Sequence, residues 1–291
     1  MMGLQNLQQK NTTQQAEQDN TRVISIASGK GGVGKTNLSV NLGINLYKEG
    51  VKTLLIDADF GMANVDILLG ITPQYNLSHI LNGKCMLPDA IITGPGSLDI
   101  LPGNSGVDNL INMSSVAIKR LLETSSHIEE VYDMVIVDVG AGINRDVTNF
   151  IQASDEAIIV LTPEPTAIMD AYSLTKFLQG NEYSGKINLV LNQIDSREEG
   201  EKVSRRIHNA VKKYLQLEIE TIGYIPYDDK VRKAVKSQIP FTLKSPNSQA
   251  SRAIERITDT LLERKREEKS RGMKGFVFKM VGMFNSVFGK D

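Results

Sequence analysis

The sequence predicts an α/β fold in which a mostly parallel, twisted sheet is covered by helices on both faces. Short apolar runs rich in Val, Ile and Leu alternate along the chain with amphipathic helical patterns. Several of these runs are continuously apolar, as expected for parallel strands buried on both sides. A glycine-rich stretch, residues 27–36 (A-S-G-K-G-G-V-G-K-T), follows the first run and opens a helical pattern. This strand–loop–helix order is the context of a phosphate-binding loop.

The predicted elements follow one another from residue 22 to residue 262. The predicted strands are residues 23–27, 52–57, 98–101, 134–138, 156–161, 187–192 and 219–225. The predicted helices are residues 37–49, 114–130, 145–152, 166–179, 198–214, 228–237 and 248–262. We therefore expect a polar N-terminal extension (residues 1–21), one domain (22–262), a charged linker (263–272) and a C-terminal amphipathic helix (273–291).

Composition excludes several classes of protein. The 291 residues carry a net charge of −1, so no global basic field favours nucleic acid. The single cysteine, Cys85, excludes internal disulfides and multi-thiolate metal sites. An iron–sulfur carrier, which needs several thiolates, is therefore disfavoured unless one cysteine per chain bridged a dimer. No apolar run approaches the roughly 20 residues needed to span a bilayer.

The glycine-rich loop is expected to hold a nucleotide. Backbone N–H groups of the loop and the helix N-terminus favour phosphate oxygens, Lys35 adds a charge for the β- and γ-phosphates, and the Thr36 hydroxyl suits Mg²⁺. Lys30 is a second lysine that an ordinary phosphate loop does not need. The residues assigned to the nucleotide here are Gly31, Gly32, Val33, Gly34, Lys35, Thr36 and Asn37.

Three carboxylates end predicted strands on the side of the loop. Asp138 ends the run 134–138 and suits a magnesium-holding role, directly or through water. Asp59 lies just past the second strand, where it can orient and deprotonate an attacking water. Asp57 is expected in the metal shell. The alternative is that these carboxylates are solvated turn residues, but the loop upstream favours the catalytic interpretation.

The segment Lys30-Gly-Gly-Val-Gly-Lys-Thr36 resembles the deviant Walker A motif of the MinD/ParA ATPases, and residues 57–66 resemble their switch segment. The resemblance covers residues 22–262 and implies a MinD-like P-loop NTPase fold that binds ATP or ADP with Mg²⁺. It also implies an ATP-sandwich homodimer, in which Lys30 reaches the phosphates of the partner. We therefore assign catalytic roles to Lys30, Lys35 and Asp59.

Within that family, the chain is most similar to the FlhG group (also called FleN), which controls flagellar number and placement. The similarity is carried by residues 63–70, 94–102, 139–143, 162–167 and 225–228. It implies adenine contacts from Asn192, Pro226, Tyr227 and Asp228, and it implies the GTPase FlhF and flagellar C-ring proteins as partners. Group members commonly begin with a D-Q-A-x-x-L-R element that activates FlhF. Here Gln15 and Ala16 match this element, whereas its Asp, Leu and Arg positions do not match.

The C-terminal residues form an amphipathic pattern after the fold should be complete. At 100° per residue the apolar side chains fall on one face, with Phe278 as the exception. This pattern is typical of an interfacial helix and resembles the membrane-targeting sequence of MinD. The alternative is a helix that docks on the body of the protein or on a partner. The expected membrane residues are Phe276, Val277, Met280, Val281, Phe284, Val287 and Phe288.

The favoured function is an ATP-hydrolysing switch that works in the cytoplasm and attaches reversibly to the inner face of the cell membrane. An alternative is a ParA-like ATPase that positions DNA or cargo. That function needs a basic surface, and the basic run 202–213 is better explained as a solvated helix face than as a DNA-binding patch. A nucleotide-binding scaffold with negligible turnover is a further alternative.

Overall fold

The structure is a computed structural model that describes residues 21–59, 64–103, 115–265 and 272–285. Its strands form one eight-stranded sheet in the order β3-β4-β2-β5-β1-β6-β7-β8. This confirms the predicted fold class. The strands are β1 (Arg22–Ser28), β2 (Thr53–Ala58), β3 (Ile92–Thr93), β4 (Asp99–Leu101), β5 (Met134–Ala141), β6 (Glu156–Leu161), β7 (Lys186–Ile194) and β8 (Glu220–Pro226).

All neighbouring strands are parallel except the edge pair β3 and β4. The two-residue strand β3 was not predicted, because a strand so short has no readable alternation. β1 lies at the centre between β5 and β6, so the loop that follows it starts from the middle of the sheet. Such a position beyond the carboxyl ends of the strands is where open α/β sheets bind ligands.

The helices confirm the predicted long elements and add short ones. Five short helical segments were not predicted: α2, α3, α4, α10 and the 3₁₀ turn Pro95–Ser97, each of which is too brief to show a helical period. The helices are α1 (Lys35–Lys48), α2 (Val65–Leu69), α3 (Leu77–Leu81), α4 (Leu87–Ala90), α5 (Ser115–Val131), α6 (Arg145–Ala153), α7 (Pro165–Gly180), α8 (Arg197–Leu215), α9 (Asp229–Lys236), α10 (Phe241–Lys244), α11 (Gln249–Lys265) and α12 (Gly272–Asn285).

The sheet separates two apolar cores. Alternate residues of β1 point to opposite faces, so Val23 packs in one core and Ile24 in the other. The first face is covered by helices α5, α6, α7, α8 and α12. The second face is covered by helices α1, α2, α9, α10 and α11. Within the described ranges, no helix has the length and hydropathy needed to cross a bilayer.

The C-terminal helix α12 is docked on the first face. It packs on α5, α6 and β1, with Met273, Phe276, Val277 and Met280 buried. Phe278, the exception in the sequence pattern, is exposed. The alternative of a helix docked on the body of the protein therefore describes this structure.

One residue fixes the start of α12. Glu129 of α5 accepts a hydrogen bond from the Lys274 backbone N–H (2.7 Å). It also forms an ion pair with the Lys274 Nζ (3.3 Å). A carboxylate at the first turn of a helix satisfies a free N–H and complements the helix dipole.

A buried polar network lies at the amino end of the central strands. The Arg22 guanidinium forms an ion pair with Glu156 and donates to the Leu261 carbonyl oxygen of α11 (3.1 Å). Asn188 donates to the other oxygen of Glu156. The network ties β1, β6, β7 and α11 together.

Replacing Arg22 with methionine should leave the Glu156 carboxylate buried without its cation. Because an uncompensated buried charge is costly, we expect the free energy of unfolding to fall by about 3–5 kcal/mol. Urea denaturation checks this. The control is Lys119→Ala, which removes an exposed ion pair with Glu123 and should stay within about 0.5 kcal/mol of wild type. Equal stability of the two variants would contradict a stabilising role for the network.

Candidate functional site

The phosphate loop connects β1 to α1 and presents unsatisfied backbone donors. Gly34 precedes α1 with φ 95°, in the left-handed region, and no side chain caps the helix. The first-turn N–H groups of α1 therefore remain available to an anion. A Cβ on Gly34 would also collide with the Asn192 amide, so glycine is required there for both conformation and space.

The centre of the site is the buried carboxylate of Asp138. Its Oδ1 accepts a hydrogen bond from the Ser39 hydroxyl (2.9 Å) and lies 4.0 Å from the Lys35 Nζ. Burial raises the pKa of Asp138, against the opposing effects of the Lys35 charge and of the Thr36 and Ser39 hydroxyls. Its Oδ2 is buried and has no hydrogen-bond partner among the described residues. A buried oxygen of this kind beside the Thr36 hydroxyl fits a magnesium ion or its bound water.

Asp57 lies beside Asp138 on the adjacent strand, at the same register. Its Oδ1 accepts from the Asp59 N–H (3.1 Å), and its Oδ2 accepts from the N–H groups of Asn64 (3.1 Å) and Val65 (3.2 Å). Burial and repulsion from Asp138 raise the pKa of Asp57 to about 7, although these three N–H groups lower it. Asp57 thus holds the backbone of the segment that carries Asp59 and places a second carboxyl group beside Asp138.

Asp59 stands at the exit of β2, facing the end of β5. Its Oδ2 accepts from the Asn64 amide (3.3 Å), and a Cβ built on Gly140 would lie 3.3 Å from its Oδ1. Gly142 donates its N–H to the Ser28 carbonyl oxygen (2.9 Å), which joins the loop after β5 to the start of the phosphate loop. The geometry places a carboxylate and a glycine backbone together, where a general base and a backbone donor would be needed.

A cavity of about 270 Å³ opens beside the phosphate loop, lined by residues of the loop, β7, β8, α9, α10 and α11. Asn192 lies at its edge and donates to the Val33 carbonyl oxygen (2.8 Å). Asp228 caps α9 and accepts from the N–H groups of Lys230 (2.9 Å) and Ala250 (3.4 Å). The lining residues are Gly32, Gly34, Asn37, Leu38, Asn192, Gln193, Ile225, Pro226, Tyr227, Asp228, Val231, Arg232, Phe241 and Ile254.

Lys30 points away from its own phosphate loop. Its Nζ contacts Glu164 Oε2 (2.6 Å) and Thr166 Oγ1 (3.3 Å), at the start of α7. Lys35 is buried against Asp138, whereas Lys30 is held at the surface. The two lysines of the motif therefore have different environments, and only Lys35 is directed into the site of its own chain.

The structure brings most of the predicted site residues together at the carboxyl end of the sheet. Sequence reasoning missed Ser39 and Glu164 as partners of Asp138 and Lys30, and it missed Gly140, Arg232 and Phe241. The glycine pair after Asp138 was a usable signal for Gly140. Nothing in the sequence indicated the other four, because their contacts join distant parts of the chain.

The predicted membrane residues do not lie in this site. On α12, the side chains of Phe276, Val277 and Met280 are buried against the body of the protein, and Val281 is half-buried. The structure does not describe the side chain of Phe284 or any part of Val287 and Phe288. Residues 1–20 of the expected extension and residues 266–271 of the expected linker also lie outside the described residues. α11 continues to Lys265, so the first residues of that expected linker are helical.

Comparisons with known proteins agree with this geometry. A family model described as an AAA domain matches residues 21–191. The chain is 38% identical to the antiactivator FleN of Pseudomonas aeruginosa over 81% of this chain and 84% of that protein. It is 34% identical to the flagellum site-determining protein YlxH of Helicobacter pylori, over 84% and 83% of the two chains.

Solved structures show the same fold. The septum site-determining protein MinD from Pyrococcus horikoshii, in complex with Mg-ADP, matches with a TM-score of 0.68 and 27% identity over 85% of this chain and all of that one. A MinD structure from Aquifex aeolicus matches with a TM-score of 0.65 and 30% identity over 84% and 97% of the two chains. With the shared fold, the phosphate loop and the carboxylates in place, we conclude that the chain belongs to the MinD/ParA family of P-loop ATPases.

Proposed function

We propose that this protein is a Mg²⁺-dependent ATPase that acts as a molecular switch on the number and placement of bacterial flagella. ATP drives homodimerisation and releases α12 to the membrane surface, and hydrolysis resets the protein. The observation that carries the switch is the position of α12. Its apolar face rests on α6. α6 begins at Arg145, three residues after Gly142, whose N–H donates to the Ser28 carbonyl oxygen at the start of the phosphate loop.

The chemistry is assigned to residues of the same edge of the sheet. Lys35 and the first-turn N–H groups of α1 hold the phosphates, and Thr36 and Asp138 hold Mg²⁺, with Asp57 beside them. The metal ion would neutralise charge on the β- and γ-phosphate oxygens. Asp59 orients a water and accepts its proton, because it lies at the mouth of the site next to the backbone of Gly140.

Lys30 completes the site of the partner in the dimer. Its contact with Glu164 keeps it on the outer surface of the site in one copy. An exposed ion pair of this kind contributes little free energy, so triphosphate from a second copy can compete for the lysine. In the cavity, Asn192, Pro226, Tyr227 and Asp228 receive the adenine.

Membrane attachment uses the face of α12 that is buried in this structure. Met280, Phe276 and Val277 can be covered either by α5 and α6 or by lipid acyl chains, but not by both. One released helix binds reversibly, and two in a dimer gain avidity of about 10²–10⁴-fold. The protein therefore moves between the cytoplasm and the inner face of the cell membrane.

The flagellar role is supported by the similarity to proteins named for flagellum site determination and for antiactivation. FlhF and C-ring proteins are the proposed partners. Of the element that activates FlhF in the FlhG group, this chain carries Gln15 and Ala16.

Replacing Asp59 with alanine should lower ATP turnover by about 10²-fold or more, because the proposed general base is lost. Nucleotide binding should persist, since Asp59 does not line the cavity. The variant should accumulate as an ATP-bound dimer on liposomes. Phosphate release, nucleotide binding and sedimentation measure these effects, with the exposed Asp195→Ala as control. Normal turnover in the Asp59 variant would remove the catalytic assignment.

Replacing Lys30 with alanine should abolish ATP-dependent dimerisation in gel filtration and leave nucleotide binding by the monomer within about twofold, because the lysine does not serve its own chain. Lys48→Ala, an exposed lysine at the end of α1, is the matched control. An ATP-dependent dimer of normal stability in the Lys30 variant would contradict the shared site.

Replacing Glu129 with alanine should loosen α12 and increase liposome sedimentation in ADP, because the Lys274 N–H and ammonium lose their partner. Deleting residues 273–291 should abolish ATP-dependent sedimentation while ATP turnover remains. The control is Glu130→Ala, the neighbouring exposed carboxylate, which lies 3.8 Å from the His127 Nδ1 of its own helix. Unchanged sedimentation of the Glu129 variant would separate α12 docking from membrane attachment.

A further inference from the structure

A strongly basic surface covers α9, α10 and the start of α11. Residues 229–256, which span these elements, contain seven basic residues and two acidic residues, Asp229 and Glu255, in a chain whose net charge is −1. All seven are exposed, and among the residues that the structure describes none of them forms an ion pair. The basic residues are Lys230, Arg232, Lys233, Lys236, Lys244, Arg252 and Arg256.

Beside these cations lie exposed aliphatic side chains. Ile239 is 44% exposed, Val235 is 36% exposed, and Ile67 of α2 is 67% exposed. A hydrogen bond from the Gln238 amide to the Ile67 carbonyl oxygen (2.8 Å) holds α2 against the end of α9. Together with the basic residues, these three aliphatic residues form one surface, called here the α2–α9 surface. Large apolar residues grouped at an exposed position are typical of protein-binding sites.

Both helices of this surface are tied to the nucleotide site. Val231 and Arg232 of α9 line the cavity beside the phosphate loop. Val65, the first residue of α2, donates its N–H to Asp57 (3.2 Å). Movement of either element with the bound nucleotide would therefore alter the α2–α9 surface, whereas α12 lies on the opposite face of the sheet.

We propose that the α2–α9 surface binds an acidic, amphipathic segment of a partner protein. Carboxylates of that segment pair with Lys233, Lys236 and Lys244, and its apolar side chains cover Ile67 and Ile239. Charge complementarity requires a negatively charged partner, and the exposed aliphatic side chains favour a protein over other acidic ligands. A nucleic acid would gain from the cations but would leave the aliphatic side chains uncovered, since strands bind by phosphate contacts and by stacking on aromatic rings. The nucleotide dependence of this binding rests on the function proposed above, whereas the binding itself does not.

The test selects ligands from a random displayed library of peptides about four helical turns long. Selection uses the full chain in ADP and, separately, in a non-hydrolysable ATP analogue, with counter-selection on Ile67→Ser/Ile239→Ser. We expect the selected peptides to be enriched in Asp and Glu and to carry Leu, Ile or Phe at helical spacing. Basic or neutral peptides, or no selected peptides, would overturn the proposal.

Affinities of a selected peptide then locate the site. By fluorescence anisotropy, Lys233→Glu/Lys236→Glu should weaken binding by about tenfold or more, with reduced salt dependence. The matched control is Lys202→Glu/Arg206→Glu, which makes the same charge change on the exposed face of α8 and should alter affinity by less than about twofold. Equal losses in the two variants would show a non-specific charge effect and overturn the site.

Two further probes separate the alternatives. Poly-glutamate of the same charge should bind more weakly than the peptide, and duplex DNA should not compete with it. Tighter binding of DNA, lost in the Lys233/Lys236 variant, would assign the surface to nucleic acid and overturn the proposal. Neither Lys233 nor Lys236 lines the nucleotide cavity, so ATP binding should be normal in this variant. Peptide binding without ATP-dependent dimerisation would leave this inference standing while the switch fails.

Discussion

The burial of the Asp138 carboxylate at the centre of the sheet is the constraint on which the site depends. A carboxylate with no exposure is costly unless hydrogen bonds and a cation compensate it. Ser39 and Lys35 supply part of that compensation, and both come from α1, which starts at the phosphate loop. The same carboxylate repels Asp57 and helps to raise the pKa of that residue to about 7. The protein thus leaves the Oδ2 of Asp138 without a hydrogen-bond partner among the described residues, in a position that fits a bound cation.

This constraint extends along the chain to α6. Gly140, near the end of β5, lies beside Asp59. Gly142, just after β5, donates to the start of the phosphate loop, and the loop that follows leads into α6. Phe150 of α6 packs against Phe276 of α12, with ring centroids 6.2 Å apart. Helix α6 therefore connects the end of β5, near Asp59, to the C-terminal helix. The proposed nucleotide-dependent switch requires a physical connection of this kind.

The apolar face of α12 is buried against the protein in this structure, and in the proposed switch it is buried at a lipid surface instead. Packed on α5, α6 and β1, its Met, Phe and Val side chains leave water in the same way as they would at a lipid surface. In the proposed switch these two environments compete for α12, and the contact of Glu129 with Lys274 favours the docked state. The basic α2–α9 surface is on the other side of the sheet, so release of α12 and recognition of an acidic partner need not compete for the same residues.

The sequence by itself determined the parallel sheet, the long helices, the phosphate loop and the carboxylates Asp57, Asp59 and Asp138. Local patterns predict these features. A buried parallel strand appears in the sequence as an apolar run, and carboxylates at strand ends after a glycine-rich loop are typical of a nucleotide site. The amphipathic period of the C-terminal helix was also readable, but not what covers it. Only the tertiary structure decided that α12 docks on α6, that Lys30 contacts Glu164, and that Ser39 serves Asp138. Each of these contacts joins residues far apart in the chain, so its existence depends on the packing of the whole fold and not on any local pattern.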